Sequence, residues 1–249
     1  FESIFELQYD YDNRKDGNEG ISYFYGNHKD LSGRVNAAAY LTNQTADALF
    51  ADASDLRLEE NTGYKGEPSN SYPVYKFRFL YFGNDERVLR STAENWIVYR
   101  LTDVMLMRAE AFIELGELGK ARTIINDIRQ RAANSIDKHI SYAKEQCEIA
   151  LYPESYFQDK ETARKCLRWE RRLEMAMENG RYFDLRRWGI ASTTLNAFFA
   201  SEQNNVYDGQ TYAQYYKDAH YEADKNEFFP IPYNQLYYIP GLYTQNRNY

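Results

Sequence analysis

Residues 99–133 read YRLTDVMLMRAEAFIELGELGKARTIINDIRQRAA. Apolar side chains at Leu101, Val104, Met105, Ala109, Phe112 and Ile113 recur at helical spacing, so residues 99–115 are predicted to form an amphipathic helix. The stretch Leu115-Gly116-Glu117-Leu118-Gly119 supplies a turn in which a glycine can close that helix. Beyond it Leu118, Ala121, Ile125, Ile128 and Ala132 step by three, four, three and four, the stripe of a second helix. Neither stripe can be hidden by its own helix, so the two are expected to pack antiparallel as a hairpin.

Such a hairpin has the size and layout of one tetratricopeptide unit, with no second copy of comparable quality at that period. Downstream, Cys166, Trp169, Leu173, Ala176 and Met177 give a third helix over about 161–179, and Gly180 interrupts it. A further helix is expected from Tyr182 past Trp188. Residues 134–158 read as irregular with helical stretches, Pro153 breaking one of them. Upstream, residues 1–7 alternate like a strand from the first residue, so the chain reads as part of something longer. Residues 10–33 and 61–72 read as loops, 45–52 as a short helix and 75–82 as a strand. Residues 204–226 read as a tyrosine-rich loop, and the proline-dense tail as an extended surface segment.

The chain of 249 residues carries a net charge of −7, which lacks the electrostatic footprint of a protein that binds phosphate backbones. The basic cluster Arg164, Lys165, Arg168, Arg171 and Arg172 has acidic residues interspersed and reads as an ion-paired helix face. No apolar run is long enough to span a bilayer. Two cysteines, Cys147 and Cys166, are too few for a disulfide framework, and whether they pair is left open. The 24 tyrosines and 14 phenylalanines exceed what a core needs, since each buried phenol must find a hydrogen-bond partner. Many of these rings are expected at the surface.

Catalytic signals are weak. Asp10, Asp12, Asp16 and Glu19 hint at a calcium loop, but Lys15 and Ile21 occupy the positions that need glycine and a bidentate glutamate. The three histidines, His28, His139 and His220, have no short-spaced partner for a zinc site. Phosphate-binding and nucleophile-elbow motifs are missing from the sequence, and no cofactor is implied. In residues 169–189, WERRLEMAMENGRYFDLRRWG, the line Glu170, Glu174, Glu178 has Arg171 and Arg181 at pairing distance on a helix. Arg181, Arg186 or Arg187 could also return to that line if the chain bends at Gly180. This stretch is expected to be a scaffold of ion pairs rather than an active site.

The segments 99–111 and 125–132, the stretch Glu170-Arg171-Arg172-Leu173-Glu174 and the run 180–188 together resemble signatures of the SusD/RagB family of Bacteroidetes outer-membrane lipoproteins. Pro230-Ile231-Pro232 and the closing Gln245-Asn246 with Tyr249 resemble its C-terminus, although Arg247-Asn248 stands where the family often has Pro-Gly. On this resemblance residues 1–249 are the C-terminal half of such a protein, and the N-terminal half lies outside the chain. It implies a mainly α protein of tetratricopeptide-like hairpins (an α/α superhelix) with long aromatic-rich loops and a few short strands. It further implies a non-catalytic protein that captures oligosaccharides at the cell surface and passes them to a SusC-like TonB-dependent transporter. A lipid anchor outside this chain would tether it to the outer membrane. From composition, Tyr23, Tyr25 and Tyr40 are the candidate stacking platforms, with His28 and Arg34 as hydrogen-bonding partners. A peptide ligand, a glycan hydrolase and a tetratricopeptide adaptor are the competing readings.

Overall fold

The structure is a computed structural model that describes residues 2–9, 34–35, 72–73, 95–135, 149–176, 178, 180–203, 206–207, 210–211, 216–238 and 241–249. It divides into two compact units, Phe1–Asn179 and Gly180–Tyr249.

The first unit is built on the predicted hairpin. Strand β1 (Ser3–Leu7) pairs antiparallel with β4 (Trp96–Arg100), with Ser3 opposite Arg100 and Leu7 opposite Trp96. A two-residue ladder joins β2 (Arg34–Val35) to β3 (Tyr72–Pro73). Helix α1 (Leu101–Leu115) follows β4 directly, so Tyr99 and Arg100 belong to the strand rather than to the helix the periodicity suggested. Arg100 is extended and offers α1 no side-chain cap; instead the carbonyl of Glu2 accepts the Leu101 N–H at 2.7 Å. The residue just before β1, far away in sequence, thus satisfies one of the orphan donors at the helix start. At the other end Gly116, at φ 81°, donates to Ile113 O while Glu117 donates to Phe112 O, a Schellman turn that needs the left-handed residue glycine supplies. Helix α2 (Leu118–Ser135) then returns against α1.

The core forms where α1, α2 and α3 (Lys160–Glu174) meet: Leu106, Ala109 and Ile113 face Ala121, Ile125 and Ile128, and Cys166, Leu167 and Trp169 close the third side. Tyr152 and Phe157, the latter in a short 3₁₀ turn over Glu154–Phe157 that starts after Pro153, fill the remaining gap. The buried stripe of α1 is rotated from the expected one. Leu101 and Val104 are 48% and 44% exposed, whereas Leu106 is fully buried and Thr102 and Asp103 accompany it inward. Helix α3 is capped by Asp159, whose carboxylate accepts the Thr162 N–H at 2.9 Å and is thereby held below the usual carboxylate range. It ends at Glu174, short of the expected residue 179. Cys166 is a free thiol, and burial pushes its pKa up to about 12, so it packs as a small apolar group. Cys147 lies outside the described residues, as do the expected helix at 45–52 and strand at 75–82.

In the second unit, α4 (Arg181–Arg187) does not run on past Trp188 as expected. Gly189, at φ 68°, turns the chain, and α5 (Ala191–Glu202) starts a new direction. Leu185, Ala191 and Tyr221 form a small core flanked by Tyr182 and Phe199. Asn196 holds Tyr221 by its main chain at both ends, accepting from its N–H at 2.6 Å and donating to its carbonyl at 3.0 Å. Within the expected loop 204–226, β5 (Val206–Tyr207) pairs with β6 (Gln210–Thr211). The tail is not wholly extended: α6 (Tyr233–Tyr238) begins directly after Pro232, where a proline is compatible with the first turn of a helix.

Candidate functional site

The charged stretch that opens at Trp169 resolves into structure. Arg129 Nη1 donates to Glu170 Oε2 at 3.0 Å, its Nε donates to Ala150 O at 2.7 Å, and its guanidinium lies 4.3 Å from the Tyr152 ring centre. Glu170 is fully buried. Arg171 donates to Asp103 at 2.9 Å, tying α3 to the N-terminal turn of α1. Arg100 grips Glu178 with two bonds, Nε at 2.8 Å and Nη2 at 2.9 Å, and reaches Glu174 Oε1 from Nη1 at 3.0 Å. Arg131 also bonds Glu174 and Glu2. Burial works against the Arg100 charge, but its hydrogen bonds to Glu178 and Glu174 and their negative field outweigh it, so its pKa is raised.

This lattice connects β1, β4, α1, α2 and α3 and has its partners within the protein. A carboxylate sealed from solvent and gripped by guanidinium has no route to a substrate, so the lattice serves as scaffold. The acidic line is met by arginines from other elements: Arg129 on Glu170, Arg100 and Arg131 on Glu174, and Arg100 on Glu178, while Arg171 turns to Asp103. The basic cluster is an ion-paired face as anticipated, with Lys165 on Glu161 and Arg164 on Glu114. Farther on, Arg187 pairs with Asp184 and Arg186 lies 5.0 Å from the Phe228 ring centre. Among the described residues no group of three or more histidines, cysteines or acids is arranged to hold a metal, and no helix is long and apolar enough to cross a membrane.

Among the described residues both units expose aromatic side chains. In the first unit Phe5 and Tyr99 are exposed on the β1–β4 ribbon. The second unit exposes Phe183 on α4 and, more densely, Phe229, Tyr233, Tyr237 and Tyr238 in its tail. Deeper in that unit the Tyr182 hydroxyl donates to Asn226 O at 2.6 Å. Burial, with Tyr182 beside it, holds the Tyr221 phenol above its usual range, so these two tyrosines are structural.

Of the ligand residues proposed from sequence, Tyr23, Tyr25, His28 and Tyr40 lie outside the described residues, and Arg34 is described only by its main chain in β2, opposite Pro73. The exposed tail tyrosines are not among those residues, although Tyr233 and Tyr237 sit four apart just after a proline, a spacing that puts both on one helical face.

Comparison with known proteins accords with this architecture. The sequence profile of the SusD family matches residues 55–249. A SusD homolog from Bacteroides thetaiotaomicron VPI-5482 superposes with a TM-score of 0.69 at 19% identity, over 100% of this chain and 52% of that one. Surface glycan-binding protein A from Bacteroides thetaiotaomicron matches with a TM-score of 0.55 at 18% identity, over 100% of this chain and 52% of that one. The protein of the same description from Bacteroides uniformis gives 0.57 at 22%, over 98% and 48%. At these identities the likeness is one of fold, and the chain spans about half the length of the solved structures it matches. No curated protein sequence matches it.

Proposed function

Because the chain belongs to the SusD family, we propose that it captures oligosaccharides at the cell surface without cleaving them and presents them to a SusC-like TonB-dependent transporter. The observation that carries this reading is the family match, and the fold likeness to two surface glycan-binding proteins supports it. The surplus of aromatic side chains, many of them exposed, fits the same ligand class. A sugar ring offers C–H groups to the negative face of an aromatic ring and hydroxyls at its edge to polar neighbours. Capture for import needs binding that can be reversed, which rings and hydrogen bonds provide without chemistry. Tyr23, Tyr25 and Tyr40 are the proposed platforms, with His28 and Arg34 beside them. The protein would work at the outer membrane, held there by a lipid anchor outside this chain.

Calorimetric titration of the full-length protein with plant, host and fungal oligosaccharides tests the reading, each sample being assayed afterwards for cleavage. Binding of one class with the sugars intact is the expected result. Cleaved products would make the protein an enzyme, and binding of peptides alone would replace the ligand class.

A further inference from the structure

The tail of the second unit combines three properties that the scaffold does not require. First, residues 228–249 carry one charged side chain, Arg247, in a chain that is 27% charged. Second, their rings face solvent: Phe229 is 89% exposed, Tyr233 72%, Tyr237 62% and Tyr238 81%. Third, the backbone beneath them is tied down. Gln245 Oε1 accepts from Ile231 N–H at 2.8 Å while its Nε2 donates to Ile231 O at 3.0 Å. Asn246 Nδ2 donates to Phe229 O at 2.6 Å, and the Tyr249 hydroxyl donates to Phe228 O at 2.9 Å. Residues 245–249 thus clasp residues 228–231, the segment that leads into α6, and Pro230 and Pro232 stiffen that lead further.

On α6, directly after this clasped segment, Tyr233 and Tyr237 form a pair with ring centres 4.2 Å apart, inclined at 39°. Asn234 and Gln235 lie between them in sequence and are exposed as well. Rings held in place lose little freedom when a ligand covers them, which favours affinity. The charge pattern decides which ligand. An acidic polysaccharide or an anionic lipid surface calls for clustered lysine and arginine; Arg247 is the one cation of residues 228–249, and the cations that pack on them, Arg186 and Lys225, lie over Phe228 and Tyr249. An uncharged surface of phenol rings interspersed with hydroxyls and carboxamides matches a neutral saccharide, whose faces are C–H and whose rim is hydroxyl.

We infer that the Tyr233–Tyr237 pair, flanked by Tyr238, Asn234 and Gln235, is a stacking site for neutral oligosaccharide, separate in sequence from the ligand loop around residues 23–40. This inference rests on the glycan-capture reading and adds a second contact to it.

The test uses the full-length protein and four neutral probes, cellohexaose, maltohexaose, mannohexaose and xylohexaose, with polygalacturonate as the charged control. On the probe that binds best, the double variant Tyr233→Ala/Tyr237→Ala is expected to lose about tenfold in affinity, the sum of two modest ring contacts. Tyr233→Phe/Tyr237→Phe keeps the rings and is expected to stay within about threefold of the unsubstituted protein. Both variants should keep its melting temperature, since neither phenol is part of a core. Affinity unchanged in the alanine variant overturns the inference while leaving glycan capture standing. A change in sedimentation with glycan affinity untouched overturns it too, and makes the pair a self-association surface. Tighter binding of polygalacturonate than of every neutral probe contradicts the charge argument. If no saccharide binds the unsubstituted protein, the capture reading falls and this inference with it.

Discussion

The helical framework of the first unit and the tail of the second are fastened by different polar groups. In Phe1–Asn179 charges go inward: Glu170 and Arg129 are buried against each other, and arginines from β4, α2 and α3 join elements far apart in sequence. In Gly180–Tyr249 the tail is fastened by neutral amides, Gln245 and Asn246, that bond main-chain atoms of the segment 229–231. The difference teaches what each is suited to. Buried ion pairs lock a helical framework, because breaking one strands a charge out of water. Amide clasps of exposed backbone hold a surface in shape at low cost, leaving its rings free for other contacts.

That contrast can be broken or sharpened in order of expected effect. Glu170→Ala leaves Arg129 buried without its carboxylate and should cost about 3–5 kcal/mol in urea unfolding; a loss no larger than that of an exposed pair would make the lattice ornamental. Ile125→Ala, at a fully buried site in the three-helix core, should cost about 2–5 kcal/mol. Gly116→Ala meets no clash, since the nearest atom to an added Cβ is the Lys160 side chain at 3.8 Å, yet it forces alanine to φ 81° and should cost about 1–2 kcal/mol. Gln245→Ala should raise amide exchange across residues 228–249 while the helices of the first unit keep their protection, a local loss of about 1 kcal/mol. Equal deprotection of both units would dissolve the distinction.

The smallest effect concerns Glu114, whose hydrogen bond from Arg164 lowers its pKa. A depressed folded pKa contributes stability above the unfolded carboxylate range, and this is lost as pH falls through the folded value. Both side chains are exposed, so the difference between the protein and Glu114→Gln should be about 0.5 kcal/mol or less near neutrality and vanish in acid. Melting curves from neutral pH to about pH 3, spanning the carboxylate range, would show it.

Much of the first unit was legible because helical periodicity over fifteen or more residues is a local signal. The hairpin and its glycine turn follow from it, and the first strand follows from the alternation over residues 1–7. The partner strand β4 was not legible, because it runs without a break into the helix, and its last two residues, Tyr99 and Arg100, read as the helix start. The buried stripe of α1 was misjudged by about one position, since Thr102 and Asp103 are drawn inward by partners on other elements, Glu2 and Arg171. At the candidate sites, composition announced surplus aromatics but could not distinguish those that pack, such as Tyr182 and Tyr221, from those that face water, such as Tyr233 and Tyr238.

By itself the sequence determined the helical class, the ion-paired character of the charged stretch and the family, each carried by spacing and order along the chain. Only the tertiary structure decided which arginine meets which carboxylate, where Gly189 ends a helix, and which tyrosines remain outside. Those outcomes depend on residues brought together from distant positions, and a chain read in order holds no record of such distances.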